Sequence, residues 1–191
     1  MSRRLSMKEL ELLRQEVENC KRCDLYKTRT NIVFGDGNPY SRLMLVGEAP
    51  GYYEDKKGLP FVGSAGKLLD TLLEEIGLSR AKVYIANVLK CRPPNNRDPN
   101  IDEIERCSPY LFAQISYVSP KIIVTLGNHS TRLLAETDLG ITKVHGKIFK
   151  KGDKIVMPTF HPAACLYHPE WLRLLREDLS KIPLLLSDYN L

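Results

Sequence analysis

With 191 residues, 43% of them hydrophobic, the chain suits one domain with a sizeable core, and residues 1–191 are expected to form it together. Its 28 basic and 23 acidic residues leave a net charge of +5, which permits a polyanionic partner without requiring one. No apolar run is long enough to cross a bilayer, and the opening stretch intersperses Leu5, Leu10, Leu13 and Val17 with charges, so neither a membrane span nor a secretory leader is expected and the protein is read as cytoplasmic.

That opening stretch reads as a solvated amphipathic helix, which runs into "CKRCDLYKTRT" at residues 20–30. "RLMLVG" is a continuous apolar run ending at Gly47, the pattern of a strand buried on both faces of a parallel sheet. "EAPGYYEDKKGLPFVG" reads as a long loop rich in Gly and Pro. Ser64 then caps a helix with an apolar stripe of Leu68, Leu69, Leu72, Leu73 and Ile76, and Gly77 ends it. "KVYIANVL" is the second strand, and "CRPPNNRDPN" after it excludes either regular element, because proline removes a donor and restricts its neighbour. Asp102 opens a further helix, with Pro109 a point of bending or division. "KIIVTLG" is the third strand and leads to a helix capped by Asn128. "KIVMPTF" is the fourth, "HPAACLYHP" follows it at once, and "EWLRLLREDLSKI" closes the chain as a helix.

Strands alternating with helices imply right-handed crossovers and an α/β fold whose parallel sheet is covered on both faces. Ligands in such folds bind outside the carboxyl ends of the strands, which here means Glu48 to Gly51, Asn87, Gly127 to His129, and His161. Basic residues pool in three loop stretches, Lys21 to Arg29, Lys90 to Arg97 and Lys143 to Lys151, an arrangement suited to nucleic acid.

Five cysteines, an odd number, argue against a disulfide framework. Cys20 and Cys23 end a helix instead of opening one, which disfavours a thioredoxin-like couple. Cys91 and Cys107 have fifteen residues between them and so do not make the second close pair of a simple zinc site. Four thiolates from three segments would suit an iron–sulfur cluster stapling two basic loops. Spacing alone leaves cluster, zinc and buried thiols all open.

"GLPFVGSAGKLL" fails as a phosphate loop, with Phe61 in place of the first glycine and Leu68 in place of Ser or Thr, and no Gly-x-Gly-x-x-Gly follows the first strand. ATPase and dinucleotide chemistry are therefore disfavoured. Glu48, Glu54, Phe61, Asn87 and His161 instead make a set that could bind a flat polar heterocycle: an aromatic face, an amide with paired donor and acceptor, and a histidine to stabilise an anion. Each residue alone also has an ordinary place in a core or a turn.

Together, "GEAPG" at 47–51, "FVGSAGKLL" at 61–69, "NVLKCRPPNNR" at 87–97 and "HPAA" at 161–164 resemble the iron–sulfur uracil-DNA glycosylases of bacteria and archaea known as family four. The likeness runs from Cys20 to about Leu175. It implies a three-layer α/β/α fold with a short four-stranded parallel sheet, and a structural 4Fe-4S cluster on Cys20, Cys23, Cys91 and Cys107. It also implies a repair enzyme that excises uracil hydrolytically from single- and double-stranded DNA, leaving an abasic site and initiating base excision repair. With no coiled coil or second hydrophobic face to suggest an obligate dimer, a monomer is expected. By position, Phe61 would stack on the flipped uracil, Asn87 would pair with its polar edge, and Glu54 would stand near C5. Gly47, Glu48 and Ala49 would line the sugar and the attacking water, and His161 would bond uracil O2. Ala49 occupies the place of an Asp that assists this water in related enzymes, which leaves Glu48 as the candidate. Cys165 and Tyr167 replace the Leu and Arg common in the family, so the wedge that fills the flipped-base gap is expected from Leu166 or Tyr167, with Arg92 and Arg97 also on DNA.

Overall fold

In the computed structural model the described residues are 3–188, with side chains from Met7 onward, so Leu5 of the first apolar stripe lies outside the described side chains. The strands in chain order are β1 (Asp36–Gly37), β2 (Leu43–Gly47), β3 (Tyr84–Asn87), β4 (Ile122–Leu126), β5 (Phe149–Lys151) and β6 (Lys154–Thr159). The helices are α1 (Arg3–Glu18), α2 (Tyr52–Lys57), α3 (Ser64–Glu75), α4 (Ile101–Val118), α5 (Asn128–Ala135), α6 (Ile141–Val144), α7 (Pro162–Cys165), α8 (Pro169–Leu179) and α9 (Ile182–Asp188).

The sheet order is β1-β3-β2-β4-β6-β5. Its four central strands are the four read from the sequence, and they are mutually parallel. The antiparallel edges β1 and β5 are additions of two and three residues, too short to leave an apolar pattern. Alternation along the central strands sorts the core into two. Leu43, Leu45, Ile85, Val124 and Met157 pack with Leu69, Leu72 and Leu73 of α3 and Leu175 and Leu179 of α8. Met44, Val46, Ala86, Ile123 and Val156 face the other way, onto Leu13 and Val17 of α1 and Leu111, Ile115 and Val118 of α4. This is the three-layer α/β/α arrangement, and truncating a fully buried member such as Leu45 to Ala would cost about 2–5 kcal/mol.

Several local expectations change. Residues 52–57 form α2 instead of continuing a loop, and Gly58, with φ +69°, ends it by bonding its N–H to the Glu54 carbonyl. Gly63 and Gly127, not Ser64 and Asn128, hold the cap positions of α3 and α5. The Asn128 side chain is occupied elsewhere, accepting from the Ile141 amide at 2.8 Å. Helix α4 begins at Ile101, one residue before Asp102, where Asn100 and Glu103 make a reciprocal capping box. Pro109 does not divide it, because the Ser108 hydroxyl reaches the Glu105 carbonyl that the proline leaves without an amide partner. The second strand is confined to Tyr84–Asn87, a single 3-10 turn at Pro94–Asn96 interrupts the proline-rich loop, and the closing helix is two, α8 and α9. Among the described residues, no helix is long and apolar enough to cross a membrane.

Candidate active site and cysteine group

Strands β2 and β3 end in register, Gly47 opposite Asn87, and the chain leaving β6 reaches His161 one residue after Phe160. At these carboxyl ends lies a cavity of about 390 Å³, in the size range of small-ligand sites, lined among others by Glu48, Ala49, Glu54, Phe61, Asn87, Asn96, Arg97 and His161. The strand ends thus bring together the residues that the sequence had placed in four separate motifs.

Asn87 is 2% exposed, yet its Oδ1 has no hydrogen-bond partner. Its backbone is fixed from behind: the ammonium of the fully buried Lys90 donates to the Asn87 carbonyl at 2.7 Å and to Gln114 Oε1 at 2.5 Å. An unpaired buried acceptor costs about 1–3 kcal/mol, which a ligand donor would recover. Gly47 keeps the space in front open, since a β-carbon there would collide with Asn87 Oδ1 and stand 2.6 Å from Phe61 Cζ.

Phe61 is held with φ +52°, a left-handed conformation that costs a non-glycine residue about 1–3 kcal/mol. Its surroundings over-determine it. The Arg80 guanidinium donates to the Phe61 carbonyl, to Pro60 O at 2.9 Å and to Asp70 Oδ1 at 2.6 Å. Glu54 Oε1 accepts from the Val62 amide at 2.8 Å and the Gly63 amide at 2.9 Å. Gly66 lets α3 approach so closely that any β-carbon would overlap the Phe61 carbonyl. The ring is thereby set 5.6 Å from that of His161, with 29° between their planes. Glu54, expected beside C5 of a base, lines the cavity but commits one carboxylate oxygen to clamping the Phe61 loop.

His161 Nδ1 accepts from the Ala163 amide at 3.1 Å, which leaves the ring proton on Nε2. Burial drives its pKa down to about 4, against an opposing pull from Glu54, so the ring is a neutral donor near pH 7. Glu48 has a side chain 30% exposed, and His129 Nε2 lies 3.7 Å from its Oε2. Burial raises the Glu48 carboxyl above its usual range, a charged His129 opposes this, and Asp98 adds to it. Ala49 lines the cavity without a polar side-chain atom.

At the rim, Leu166 and Tyr167 follow α7 and are 44% and 82% exposed. Arg92 stacks over the Tyr52 ring at 5.1 Å and donates to Asn96 Oδ1 at 2.6 Å. Asn96, which lines the cavity, is a site residue that sequence reasoning missed; the Asn-Asn dipeptide in a turn was the only signal. Arg97, expected on DNA, makes two bonds to Glu103 at 2.6 and 2.9 Å, so its charge is spent on fixing its own loop at the cavity wall. Asp98 and His129 complete a small polar group with Glu48.

Cys91 and Cys107 are buried in the core between the sheet and α1 and α4, and Cys20 and Cys23 pack against the same core. The four are close enough for their charges to act on one another. Burial pushes the Cys23 and Cys91 thiols up and that of Cys107 to about 12. N–H donors point at three of the sulfurs: Arg22 N at Cys20 (3.5 Å), Lys90 N at Cys107 (3.3 Å) and Arg29 Nη1 at Cys91 (3.3 Å). Cys165 is apart, buried in the opposite core. Among the described residues only Glu48, Asp98 and His129 place three ligand atoms within 4.8 Å of one another, so no three cysteine sulfurs do.

The basic stretch that carries the first two cysteines, residues 20–30, is less free than its composition suggests. Arg29 turns inward to the Cys20 and Glu18 carbonyls, both at 3.0 Å. Arg22 pairs with Glu16 at 2.9 Å and covers the Tyr110 ring, and Lys27 pairs with Asp24 at 2.7 Å. These cations brace the cysteine-bearing loop. In the third basic stretch, Lys151 pairs with Glu136 at 2.7 Å.

A sequence profile for the Uracil DNA glycosylase superfamily matches residues 34–181. The chain is 54% identical over 185 residues to a type-4 uracil-DNA glycosylase of Sulfurisphaera tokodaii, covering 92% of this chain and 84% of that protein. It is 51% identical over 190 residues to one of Saccharolobus solfataricus, covering 95% and 88%. To one of Archaeoglobus fulgidus it is 46% identical over 184 residues, covering 92% of each. By profile and by identity over nearly its whole length, the chain belongs to the uracil-DNA glycosylase superfamily, among its type-4 members.

Proposed function

We propose that the protein hydrolyses the N-glycosidic bond of deoxyuridine in single- and double-stranded DNA, releasing uracil and leaving an abasic site for base excision repair. The observation that carries this reading is the meeting of three groups in one cavity: the unpaired amide oxygen of Asn87, the Phe61 ring held against Gly47, and the neutral imidazole of His161.

The nucleotide leaves the base stack at a cost of a few kcal/mol and its uracil enters the cavity. Phe61 supplies a stacking face, and the Asn87 amide meets the N3–H and O4 edge with one acceptor and one donor. As the C1′–N1 bond breaks, its electron pair goes to uracil and negative charge spreads to O2, where His161 Nε2–H donates. One preorganised donor of this kind supplies on the order of 3 kcal/mol. A neutral imidazole suits the task because it donates without surrendering its proton. Water adds to C1′, and Glu48 takes its proton; Ala49 contributes backbone only.

Cys20, Cys23, Cys91 and Cys107 fit as the ligands of a 4Fe-4S cluster, by lying near enough for their charges to act on one another and by the N–H groups aimed at three of their sulfurs. When bound, the cluster supplies a structural staple between the end of α1, the 91–97 loop and α4. Leu166 or Tyr167, exposed at the rim, fills the gap left by the flipped base, and Arg92 approaches the backbone. The 191 residues act as one domain and as a monomer, in a cytoplasmic setting that suits five cysteines outside any disulfide.

The test is incubation of cluster-loaded protein with single-stranded and duplex oligonucleotides carrying one uracil or one thymine, followed by alkaline cleavage of abasic products. Both uracil strands should be cut and the thymine strands left whole. An uncut uracil strand overturns the reading.

A further inference from the structure

Three loops at the carboxyl end of the sheet bring together groups that the reading above uses only in part. Glu48 follows β2, His129 is the second residue of α5 just beyond β4, and Asp98 lies in the loop before α4. His129 Nε2 is 3.7 Å from Glu48 Oε2 and 3.9 Å from Asp98 Oδ2, and the three atoms all lie within 4.8 Å of one another. These separations are too long for direct hydrogen bonds. Corners of such a triangle can, however, all stand about 2.8 Å from one oxygen atom placed above its plane, which is the spacing of a bridging water. Of the three, Glu48 lines the cavity.

We propose that Glu48, His129 and Asp98 together seat the hydrolytic water, with Glu48 as its base and the other two as partners that hold water and carboxylate in place. The inference rests on the role given to Glu48 under Proposed function and names how that role is met although position 49 is Ala. In the step itself an O–C1′ bond forms as C1′–N1 breaks, and the electron pair of the broken bond leaves on uracil. The water proton passes to the Glu48 carboxylate and from there to solvent. The uracil anion takes a proton back from solvent, so water is the only co-reactant consumed.

The charges around Glu48 make the proposal testable in sign as well as size. His129 faces it from α5 and Asp98 from the loop before α4. Arg97 of the same loop is committed to Glu103, while Glu54 and His161 line the same cavity. A charged His129 stabilises the carboxylate and Asp98 opposes it, so their removal should act in opposite directions.

The experiment is the single-turnover rate of uracil excision against pH, using cluster-loaded wild type, Glu48→Gln, His129→Gln and Asp98→Asn. Glu48→Gln should slow excision by about 10²- to 10⁴-fold and abolish the acidic limb of the profile. His129→Gln should slow it several-fold and move the acidic limb to higher pH, whereas Asp98→Asn should move that limb to lower pH. Asp98 is almost wholly exposed, so its variant tests the sign even if the histidine variant folds poorly. Acidic limbs of His129→Gln and Asp98→Asn that coincide with wild type, beside an inactive Glu48→Gln, overturn the three-residue water seat and leave Glu48 standing. An active Glu48→Gln with an unchanged limb overturns the role of Glu48 itself.

Discussion

The Ala163 amide donates to Nδ1 of His161 at 3.1 Å, and this one bond decides what the ring can do. With Nδ1 occupied as an acceptor, Nε2 carries the hydrogen, and burial keeps the ring neutral by lowering its pKa to about 4. His161→Ala should therefore slow uracil excision by about 10²- to 10³-fold, the loss typical of one oxyanion donor, while affinity for uracil-containing DNA falls far less. Single-turnover rates beside DNA-binding titrations check this, and equal losses in both would contradict it.

The same ring leaves a mark on stability. An unfolded histidine titrates near 6.5 and the native one near 4, so between those values the unfolded chain takes up a proton that the native chain does not. Stability from this group is complete above pH 6.5 and is lost as pH falls toward 4. In urea titrations, wild type should lose about 2 kcal/mol more than His161→Asn between pH 7 and pH 5. Parallel pH dependences in the two proteins would show that the ring is not held neutral.

Glu54 is predicted to act through the Phe61 loop. Gln at this position keeps an oxygen to accept from the Val62 and Gly63 amides, whereas Ala leaves both unpaired. Glu54→Ala should lower stability by about 1–3 kcal/mol and slow excision, with Glu54→Gln restoring most of both. If Gln behaves like Ala, the charge near the cavity matters more than the clamp.

The cysteines divide four to one. Cys91→Ser should reduce bound iron, visible absorbance and the unfolding midpoint together, because the 91–97 loop then loses its tie to α1 and α4. Cys165→Ala, in the opposite core, should keep its iron although it leaves a small cavity. Iron analysis of both variants decides the assignment, and loss of iron from the Cys165 variant would overturn it.

The four central strands were legible because each is a short run of apolar residues buried on both faces and followed by a helix. Once they are parallel, the carboxyl ends must gather Glu48, Asn87 and His161, whatever their separation in sequence. The six-residue helix α2 was hidden: Tyr52 and Tyr53 are exposed and no apolar period builds up in so short a segment. The grip of Glu54 on two backbone amides, the turn of Arg29 toward Cys91 and the pairing of Arg97 with Glu103 leave no trace in composition, since each depends on how a loop is folded. Charge counting therefore overstated the free positive surface. The cysteine spacing left the metal open, and it was the four motifs together that pointed to iron–sulfur. His129 stood at a strand end in the sequence without a chemistry, and acquired one only when Glu48 and Asp98 came within reach.

The most direct measurement is the time course of free base released from one duplex carrying uracil and thymine with distinguishable labels, by cluster-loaded wild-type protein without added metal or cofactor. Uracil should be released to completion while thymine remains in the strand. Retention of both bases, or release of the two at similar rates, would contradict the assignment of the Phe61, Asn87 and His161 cavity as the site of uracil excision.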